Sequence, residues 1–140
     1  MPSVHDAAGS SRTLLVPNHR IEVKTSRGRG RGVFAREAIA PGTVIECAPV
    51  IILPAEDCPA LDQTVIHDYY FHWDGDAEGD GRGALGLGLV TLCNHSGRPC
   101  ARVDRNYAWQ TLDLVATTPI RPGDEITIDY RCTLWFKPAE

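Results

Sequence analysis

Short apolar stretches separated by turn residues run along most of the chain, and their pattern predicts strands more often than helices. Residues 21–24 alternate apolar and polar side chains, which is the pattern of a half-buried β-strand. Residues 33–35, 44–46 and 50–53 are further apolar or β-branched runs, and Pro54 closes the last of them. We therefore expect the chain before residue 54 to form a series of short strands.

Residues 55–73 contain the best candidate for a helix. Asp62 is a residue type that caps helices, and we predict a short helix over residues 64–71 behind it. Aromatic and polar residues then alternate, which predicts a strand at 70–73. The acidic and glycine-rich residues 74–83 are expected to form a solvated loop.

Two apolar stretches end abruptly in polar residues. In residues 87–100 (LGLVTLCNHSGRPC), a buried-looking run stops at Asn94. We interpret this run as a strand, with a helix over residues 84–92 as the alternative. Residues 126–130 (ITIDY) form a second apolar strand that ends in an acidic and an aromatic residue. We expect these two polar ends to meet.

Glycine occupies alternate positions in residues 26–32 (SRGRGRG), between two predicted strands. Glycine allows positive φ and a close approach of the backbone to another group. We interpret the run as a loop whose backbone contacts a ligand, lying beside the two polar ends. A plain hairpin turn and an RGG-type RNA-binding segment are the alternatives, and the net charge of −4 argues against the second.

A short pattern, I-x-P-G-x-x-I, occurs at residues 39–45 and again at residues 120–126. Proline followed by glycine is typical of a type II turn, because proline sets φ at the second position and glycine accepts positive φ at the third. In both places a predicted strand follows. The echo therefore indicates the same local turn used twice.

The composition adds a size and a class to this pattern. With 140 residues the chain is expected to form one domain, and 13 glycines and 10 prolines favour turns over long helices. We predict a mainly β fold. Residues 1–18 are small and polar and are expected to be a flexible leader, which leaves residues 19–140 as the domain.

Cysteine usage and hydropathy indicate the compartment. The five cysteines, at positions 47, 58, 93, 100 and 132, are odd in number and lack the spacing of a disulfide framework. We interpret them as reduced thiols. There is no pattern of a signal peptide, and the longest apolar run, residues 44–53, is too short to span a bilayer. We therefore predict a cytoplasmic protein with no membrane segment.

The residues alone give several weak candidates for chemistry. Cys93, His95 and Cys100 could ligate zinc, but their spacing fits no common zinc module, so we predict no metal. Cys93 continues an apolar run and is expected to be a core residue rather than a nucleophile. The adjacent carboxylates of Asp124 and Glu125 follow a turn and are expected to be solvated.

Taken in order, three segments resemble the SET domain of protein lysine methyltransferases. They are residues 29–35 (RGRGVFA), 94–96 (NHS) and 123–130 (GDEITIDY), and the resemblance extends over about residues 20–136. It is greatest to the minimal single-domain SET proteins of bacteria and large viruses. The resemblance implies several small β-sheets and a C-terminal pseudoknot, in which one of two segments threads under a loop of the other.

The resemblance also implies S-adenosylmethionine as cofactor and gives residues to hold it. The backbone of the Arg-Gly-Arg run would contact the methionine part of the cofactor. The Asn94 side chain and the His95 backbone would hold its amino and adenine groups. An aromatic residue of the C-terminal tail would pack on the adenine. Tyr130 would be the catalytic tyrosine and Tyr69 would line the channel for the substrate lysine. The cofactor-binding residues are then Arg29, Gly30, Arg31, Asn94, His95, Trp135 and Phe136.

The resemblance implies methyl transfer to the ε-amine of a lysine in a protein or peptide, and a histone-like substrate would have the expected basic character. The acidic net charge is compatible with such a substrate. Two departures from the family pattern stand out: Cys100 replaces an asparagine, and Cys132 is alone where other members carry a cysteine-rich segment. The lid over the substrate is therefore expected to come from the aromatic tail or from a second subunit in a homodimer. The alternative is a SET-like module that binds a peptide without catalysis.

Overall fold

The structure is a computed structural model that describes residues 18–74 and 81–130. In these residues the chain forms β1 (Ile21–Ser26), β2 (Gly30–Ala35), β3 (Val44–Leu53), β4 (Tyr70–His72), β5 (Gly83–Gly86), β6 (Asn94–His95), β7 (Ala101–Asn106), β8 (Thr111–Ala116) and β9 (Glu125–Ile128). One sheet has the order β1-β2-β9-β6 and the other the order β4-β5-β3-β8-β7. The mainly β fold predicted from the sequence is confirmed.

The last strand, β9, lies inside a sheet although the chain reaches it last. It pairs antiparallel with β2 on one side and parallel with β6 on the other. Ile126 and Ile128 are fully buried in one apolar cluster that includes residues of both sheets, such as Val33 and Leu112. The core therefore depends on strands that are far apart in the sequence. The C-terminal pseudoknot implied by the resemblance involves these same strands.

The region predicted as a helix is mostly irregular. It contains α1 (Cys58–Leu61), only one turn long, and two 3₁₀ turns, Ala55–Asp57 and Val65–Asp68. The helix predicted over residues 64–71 is therefore wrong. The cap is also different, because the hydroxyl oxygen of Thr64 accepts a hydrogen bond at the start of the second turn.

The strand predicted at residues 70–73 is present as β4. Its alternation places Phe71 and the following Trp73 in the core, at 5% and 2% exposure, while Tyr70 and His72 lie on the other face. Burying two large aromatic side chains on one face stabilises an extended segment more than helix propensity stabilises the alternative. This preference explains why the strand pattern prevails here.

The segments predicted as two strands around Pro49 form one long strand, β3. Proline has no N–H to donate, but its carbonyl oxygen accepts from the N–H of Leu87 at 2.8 Å. The register of β3 against its partner β8 shifts between Val44 and Glu46, as it does at a β-bulge. The prediction of two separate strands, at residues 44–46 and 50–53, is therefore wrong.

The sequence pattern of residues 102–103 and 108–115 predicts a hairpin with residues 104–106 as its loop. The hairpin is present as β7 and β8, but its loop is elsewhere. Residues 104–106 belong to β7, and the turn follows at Tyr107. The side-chain oxygen of Asn106 accepts from the N–H of Trp109 at 3.1 Å, and Gln110 has a φ of 54°. A local asparagine turn of this kind moves the reversal a few residues later than predicted.

The two Pro-Gly segments are both turns, as predicted, and they contact each other. Gly42 and Gly123 have φ values of 86° and 89°, which the third position of a type II turn requires. Ile39 and Ile120 exchange two backbone hydrogen bonds of 2.9 Å. The repeated pattern therefore joins the start of β3 to the approach to β9.

No helix among the described residues is long and apolar enough to cross a membrane.

Candidate active site

A cavity of about 750 Å³ lies between the glycine-rich loop, the segment before β6 and the strand β4. Most of the site residues predicted from the sequence line it. They are Arg29, Gly30, Arg31, Tyr69, Asn94 and Tyr130. His95 lies next to this lining in β6, while Trp135 and Phe136 lie outside the described residues.

The glycine-rich run forms the turn between β1 and β2. Gly28 and Gly30 have φ values of 74° and 72°, and the N–H of Arg29 donates to the carbonyl of Ser26 at 3.1 Å. A Cβ atom added at Gly30 would meet no atom within 4 Å. The backbone of this turn therefore borders open space, which is the arrangement that a ligand-contacting loop needs.

The predicted meeting of the two polar ends is confirmed. In the parallel pairing of β6 and β9, Asn94 lies opposite Thr127 and His95 lies opposite Ile128. The N–H of Ser96 extends this pairing by donating to the Ile128 carbonyl at 2.9 Å. The Asn-His-Ser motif and the end of β9 are thus held side by side by backbone hydrogen bonds.

The apolar run before the Asn-His-Ser motif is not the strand we predicted but a 3₁₀ turn, Leu89–Leu92. The carboxylate of Glu46, on β3, accepts from the N–H of Leu89 at 2.9 Å and from the N–H of Val90 at 2.8 Å. The first N–H groups of a helical turn have no partner within the turn, so a carboxylate satisfies them. Glu46 therefore fixes the segment that leads into β6.

Glu125, at the start of β9, connects the predicted cofactor-binding segments. Its carboxylate accepts hydrogen bonds from Ser26 Oγ at 2.9 Å, from Arg29 Nη2 at 3.1 Å and from Asn94 Nδ2 at 2.7 Å. Arg29 also donates from Nη1 to the carbonyl of His95 at 3.1 Å. The prediction that Glu125 is solvated is wrong, since its side chain is only 13% exposed.

A second hydrogen bond fixes the amide of Asn94. Its Nδ2 donates to the carbonyl of Arg31 at 3.0 Å as well as to Glu125. Both partners are acceptors, so the assignment of the amide nitrogen follows from the network. Gly32 leaves the necessary room, because a Cβ atom there would lie 2.8 Å from Asn94 Nδ2 and closer still to the carboxylate.

Tyr130 follows β9 and reaches back across β6. Its hydroxyl group donates to the carbonyl of Cys93 at 2.8 Å, and its N–H donates to His95 Nδ1 at 3.1 Å. Its ring lies 5.3 Å from the His95 ring, centroid to centroid. Because His95 Nδ1 accepts, the neutral ring carries its proton on Nε2. Tyr130 is therefore held at both its backbone and its hydroxyl group.

Burial governs the protonation of the groups around Tyr130. Desolvation raises the pKa of its phenol, and the nearby Cys93, Tyr69 and Asp68 raise the pKa further. Burial also raises the pKa of the Cys93 thiol, which is 2% exposed. The prediction of Cys93 as a core residue is confirmed. At neutral pH Tyr130 is a phenol and Cys93 is a thiol, so neither is a nucleophilic anion.

The opposite side of the cavity is formed by the segment around β4. Tyr69 lies there, together with His67 and Tyr70. Asp62 Oδ1 accepts from the Tyr70 hydroxyl at 2.7 Å and contacts His67 Nδ1 at 3.0 Å. These two hydrogen bonds, His67 first, lower the pKa of Asp62, and the bond to Asp62 raises the pKa of His67. Asp62 thus organises this side of the cavity instead of capping a helix.

Cys100, which replaces an asparagine of the family pattern, still bonds to β9. Its thiol donates to the carbonyl of Glu125 at 3.5 Å, and its carbonyl accepts from the N–H of Thr117 at 2.8 Å. The side chain also packs against the core cluster. Within residues 18–74 and 81–130, no group of three or more histidine, cysteine or acidic side chains could hold a metal ion.

Sequence reasoning missed Glu125, Glu46 and Gly32. Each acts on a partner that is distant in the sequence, and the partners of Glu125 lie 31, 96 and 99 positions away. One signal was present: Glu125 occupies the first position of a strand that continues with buried residues, where a carboxylate must find donors or solvent.

Comparison with known proteins agrees with this geometry. The model of the SET domain family matches residues 30–131. A protein of Schizosaccharomyces pombe named "Histone-lysine N-methyltransferase, H3 lysine-37 specific" is 30% identical over 118 residues, which cover 84% of this chain and 77% of that protein. A match over most of both chains shows common family membership.

Solved structures give the same result for the fold. A proposed histone methyltransferase of Plasmodium falciparum has a TM-score of 0.65 and 28% identity, covering 84% of this chain and 97% of that one. DIM-5 of Neurospora, a SET domain histone lysine methyltransferase, has a TM-score of 0.65 over 86% of this chain and 54% of that one, and at 22% identity it shows the fold alone. With its family match, its relative and its fold in agreement, the chain belongs to the SET domain family.

Proposed function

We propose that this protein is an S-adenosylmethionine-dependent protein-lysine N-methyltransferase that acts on a basic, histone-like substrate. The observation that carries the proposal is that the Arg-Gly-Arg turn, Asn94 and Tyr130 line one cavity although they come from distant parts of the chain. The named relative and membership of the SET domain family support the reaction type.

The cavity suits S-adenosylmethionine in size and in chemistry. Its volume of about 750 Å³ lies in the range of small-molecule sites, roughly 300–1,000 Å³. The methionine part carries an ammonium group, and the Asn94 amide oxygen and the Arg31 backbone carbonyl can accept hydrogen bonds from it. It also carries a carboxylate, with which the Arg31 guanidinium can form an ion pair. The turn at Gly30 leaves backbone exposed to open space. The residues present therefore fit the group.

We assign the remaining cofactor contacts on the family resemblance. The backbone of Arg29, Gly30 and Arg31 would hold the methionine part, and the backbone of His95 would hold the adenine. The His95 carbonyl already accepts from Arg29, but a carbonyl oxygen has two lone pairs and can accept again. Trp135 or Phe136 would cover the adenine.

When bound, S-adenosylmethionine supplies an electrophilic sulfonium methyl group for displacement by an amine. The chain's contribution is to position and desolvate. The hydroxyl group of Tyr130 donates a hydrogen bond to the Cys93 carbonyl, and this bond holds the phenol oxygen in place as an acceptor. That oxygen accepts from polarised C–H or amine N–H groups and aligns the reacting atoms, the main source of rate in such a reaction.

The substrate lysine must reach the site as a neutral amine, although free lysine has a pKa of roughly 10.4. The aromatic side chains of Tyr69 and Tyr130 border the cavity and exclude water around the amine. Desolvation disfavours the ammonium form and lowers its pKa. Since the raised pKa of Tyr130 keeps it a phenol, it does not act as a ground-state anionic base.

Three further features belong to the proposal. A single catalytic domain spans residues 19–140 behind an N-terminal leader. The aromatic C-terminal tail or the second subunit of a homodimer supplies the lid over the substrate, because Cys132 is alone in a segment where family members carry several cysteines. The protein works in the cytoplasm, where free thiols such as those of Cys58 and Cys93 stay reduced.

The proposal is tested by calorimetric binding of S-adenosylmethionine, followed by methyl transfer to a panel of basic proteins. We expect saturable binding and methyllysine in at least one basic protein, detected by mass spectrometry. Binding of a basic peptide without any methyl transfer, in wild type and Tyr130→Phe alike, would favour the non-catalytic module instead.

A further inference from the structure

We propose that Glu125 is a positioning residue that holds the Arg-Gly turn and turns the amide oxygen of Asn94 toward the cofactor's ammonium group. The inference rests on the proposed function for the identity of the ligand. The positioning itself is a property of the protein alone.

The first step is the convergence of three donors on one carboxylate. Ser26, at the end of β1, and Arg29, in the turn, bond to Oε1, while Asn94, at the start of β6, bonds to Oε2. These donors belong to three separate elements, and Glu125 itself opens β9. One side chain therefore connects all the segments that border the proposed cofactor site on this side.

The second step concerns charge. The Glu125 side chain is 13% exposed and its partner Arg29 is 46% exposed, so the ion pair lies at the edge of the protein with its anion inward. Charge-assisted hydrogen bonds of this kind are shorter and stronger than neutral ones. The pair also fixes Arg29, whose other nitrogen bonds to His95. The carboxylate thus secures both the turn and, through Arg29, the backbone of β6.

The third step concerns the orientation of an amide. Asn94 uses Nδ2 for two acceptors, the Arg31 carbonyl and the Glu125 carboxylate. Its oxygen therefore points away from both, and Asn94 borders the cavity. An ammonium group needs acceptors, so only this orientation presents the correct atom. Without an anion at position 125, the Arg31 carbonyl alone would hold the amide nitrogen in this orientation.

The fourth step is steric. A Cβ atom at Gly32 would come into contact with the Glu125 carboxylate and the Asn94 amide. The backbone of β2 thus closes the space around the pair, which leaves Glu125 little freedom to take another rotamer. Replacing it by glutamine keeps the shape but offers one acceptor oxygen and one NH₂ group, so donors would then face donors.

The test compares Glu125→Gln with wild type in the ligand-free protein by NMR of side-chain amides. We expect the Asn94 NH₂ resonances to shift and their hydrogen exchange to speed up several-fold. Glu22→Gln is the matched control, because Glu22 is a half-buried carboxylate on β1, whose side chain pairs with Lys24. The Asn94 resonances of the Glu22→Gln variant should match those of wild type.

The second readout is cofactor binding and kinetics. An unsatisfied buried donor costs on the order of 1–3 kcal/mol, so we expect Glu125→Gln to weaken S-adenosylmethionine binding by roughly 5- to 150-fold. The effect should fall on the KM of the cofactor, with kcat at saturation changed only a few-fold, since Glu125 does not border the cavity. A merely structural loss would lower the active fraction and hence kcat.

If Glu125→Gln does not fold, wild type provides the test through the same exchange measurement. Asn94 should then exchange more slowly than Asn18, whose amide has a single described acceptor, the carbonyl of Ile45. Unchanged Asn94 resonances or unchanged affinity in the folded variant would overturn the proposal, as would fast exchange of Asn94 in wild type. If wild type binds no S-adenosylmethionine, the proposed function fails, while the amide measurement still decides the role of Glu125.

Discussion

The hydroxyl group of Tyr130 has a defined partner and a defined protonation state. It donates to the Cys93 carbonyl, and burial raises its pKa, so it remains a neutral phenol near pH 7. A neutral phenol whose O–H donates to a backbone carbonyl acts on the substrate through its oxygen, as a hydrogen-bond acceptor. We therefore propose that Tyr130 aligns the reacting atoms, and a variant that lacks the phenol oxygen should lose this role.

We predict that Tyr130→Phe lowers kcat by about 10²-fold or more, the usual effect of losing one preorganised polar contact at a reacting centre. Stability should fall by only about 1 kcal/mol, since one hydrogen bond is lost. Methyl transfer at saturating cofactor and thermal unfolding measure the two effects. Tyr107→Phe is the matched control, because that hydroxyl also donates to a backbone carbonyl, of Trp73, but borders no part of the cavity.

The raised pKa of Tyr130 predicts a pH dependence of stability. The unfolded chain loses this proton at about pH 10, whereas the folded protein keeps it to higher pH. Between the two pKa values the folded state binds more protons, so its stability is full below pH 10 and falls as the pH rises further. Tyr130→Phe should show a smaller fall in denaturant midpoint from pH 9 to pH 11. An identical fall in both proteins would contradict this environment for Tyr130.

Single residues differ in how far the sequence predicts their roles. Asn94, Tyr130 and the Arg-Gly turn stand in contiguous motifs, so their convergence on one site could be expected from the order of the motifs. Glu125 could not be placed in this way, because its environment is created by strands that only the fold brings together. A carboxylate beside a turn is usually solvated, and the one local signal, its position at the start of β9, does not identify its partners.

The antiparallel pair β2–β9 and the parallel pair β6–β9 together build the site. Strands with clear alternation, such as β1 and β4, could be predicted from the sequence because their periodicity reflects burial on one face. The turn Leu89–Leu92 could not be predicted from the sequence, since a short apolar run is compatible with a strand as well as with a buried turn. Its conformation depends on Glu46, which lies on a different strand.

The contact between β2 and the start of β9 predicts a steric effect. Gly32→Ala places a methyl group against the Glu125 carboxylate and the Asn94 amide, and we expect a loss of about 1–3 kcal/mol together with weaker cofactor binding. Gly97→Ala is the control, because a Cβ atom there meets nothing within 4 Å. Denaturant unfolding and calorimetry measure both effects. Equal stability of the two variants would contradict the close packing at Gly32.

Both sheets share one apolar cluster, and β9 is the strand that completes it. This arrangement makes the fold and the site interdependent, since the strand that fills the core also begins with Glu125 and ends next to Tyr130. The sequence pattern alone predicts many short strands, but not their order in the sheets. Pairings between distant strands leave no local signal, so the family resemblance gave several small sheets and a pseudoknot but no strand order.

The central position of β9 predicts which apolar residues matter most. Ile126→Ala should destabilise the protein by about 2–5 kcal/mol, because Ile126 is fully buried and its removal leaves a cavity. Ile51→Ala should cost less than about 1 kcal/mol, because Ile51 is 49% exposed. Chemical denaturation of both variants gives the comparison. Similar losses would contradict the assignment of β9 to the core.

The most direct test of the proposed activity is to measure S-adenosylmethionine binding and methyl transfer in the same preparation. Wild type should bind the cofactor saturably in the calorimeter and produce methyllysine in a basic protein. Tyr130→Phe should bind the cofactor with similar affinity but produce far less methyllysine. Absence of cofactor binding by folded wild type at millimolar concentration would contradict the proposed function.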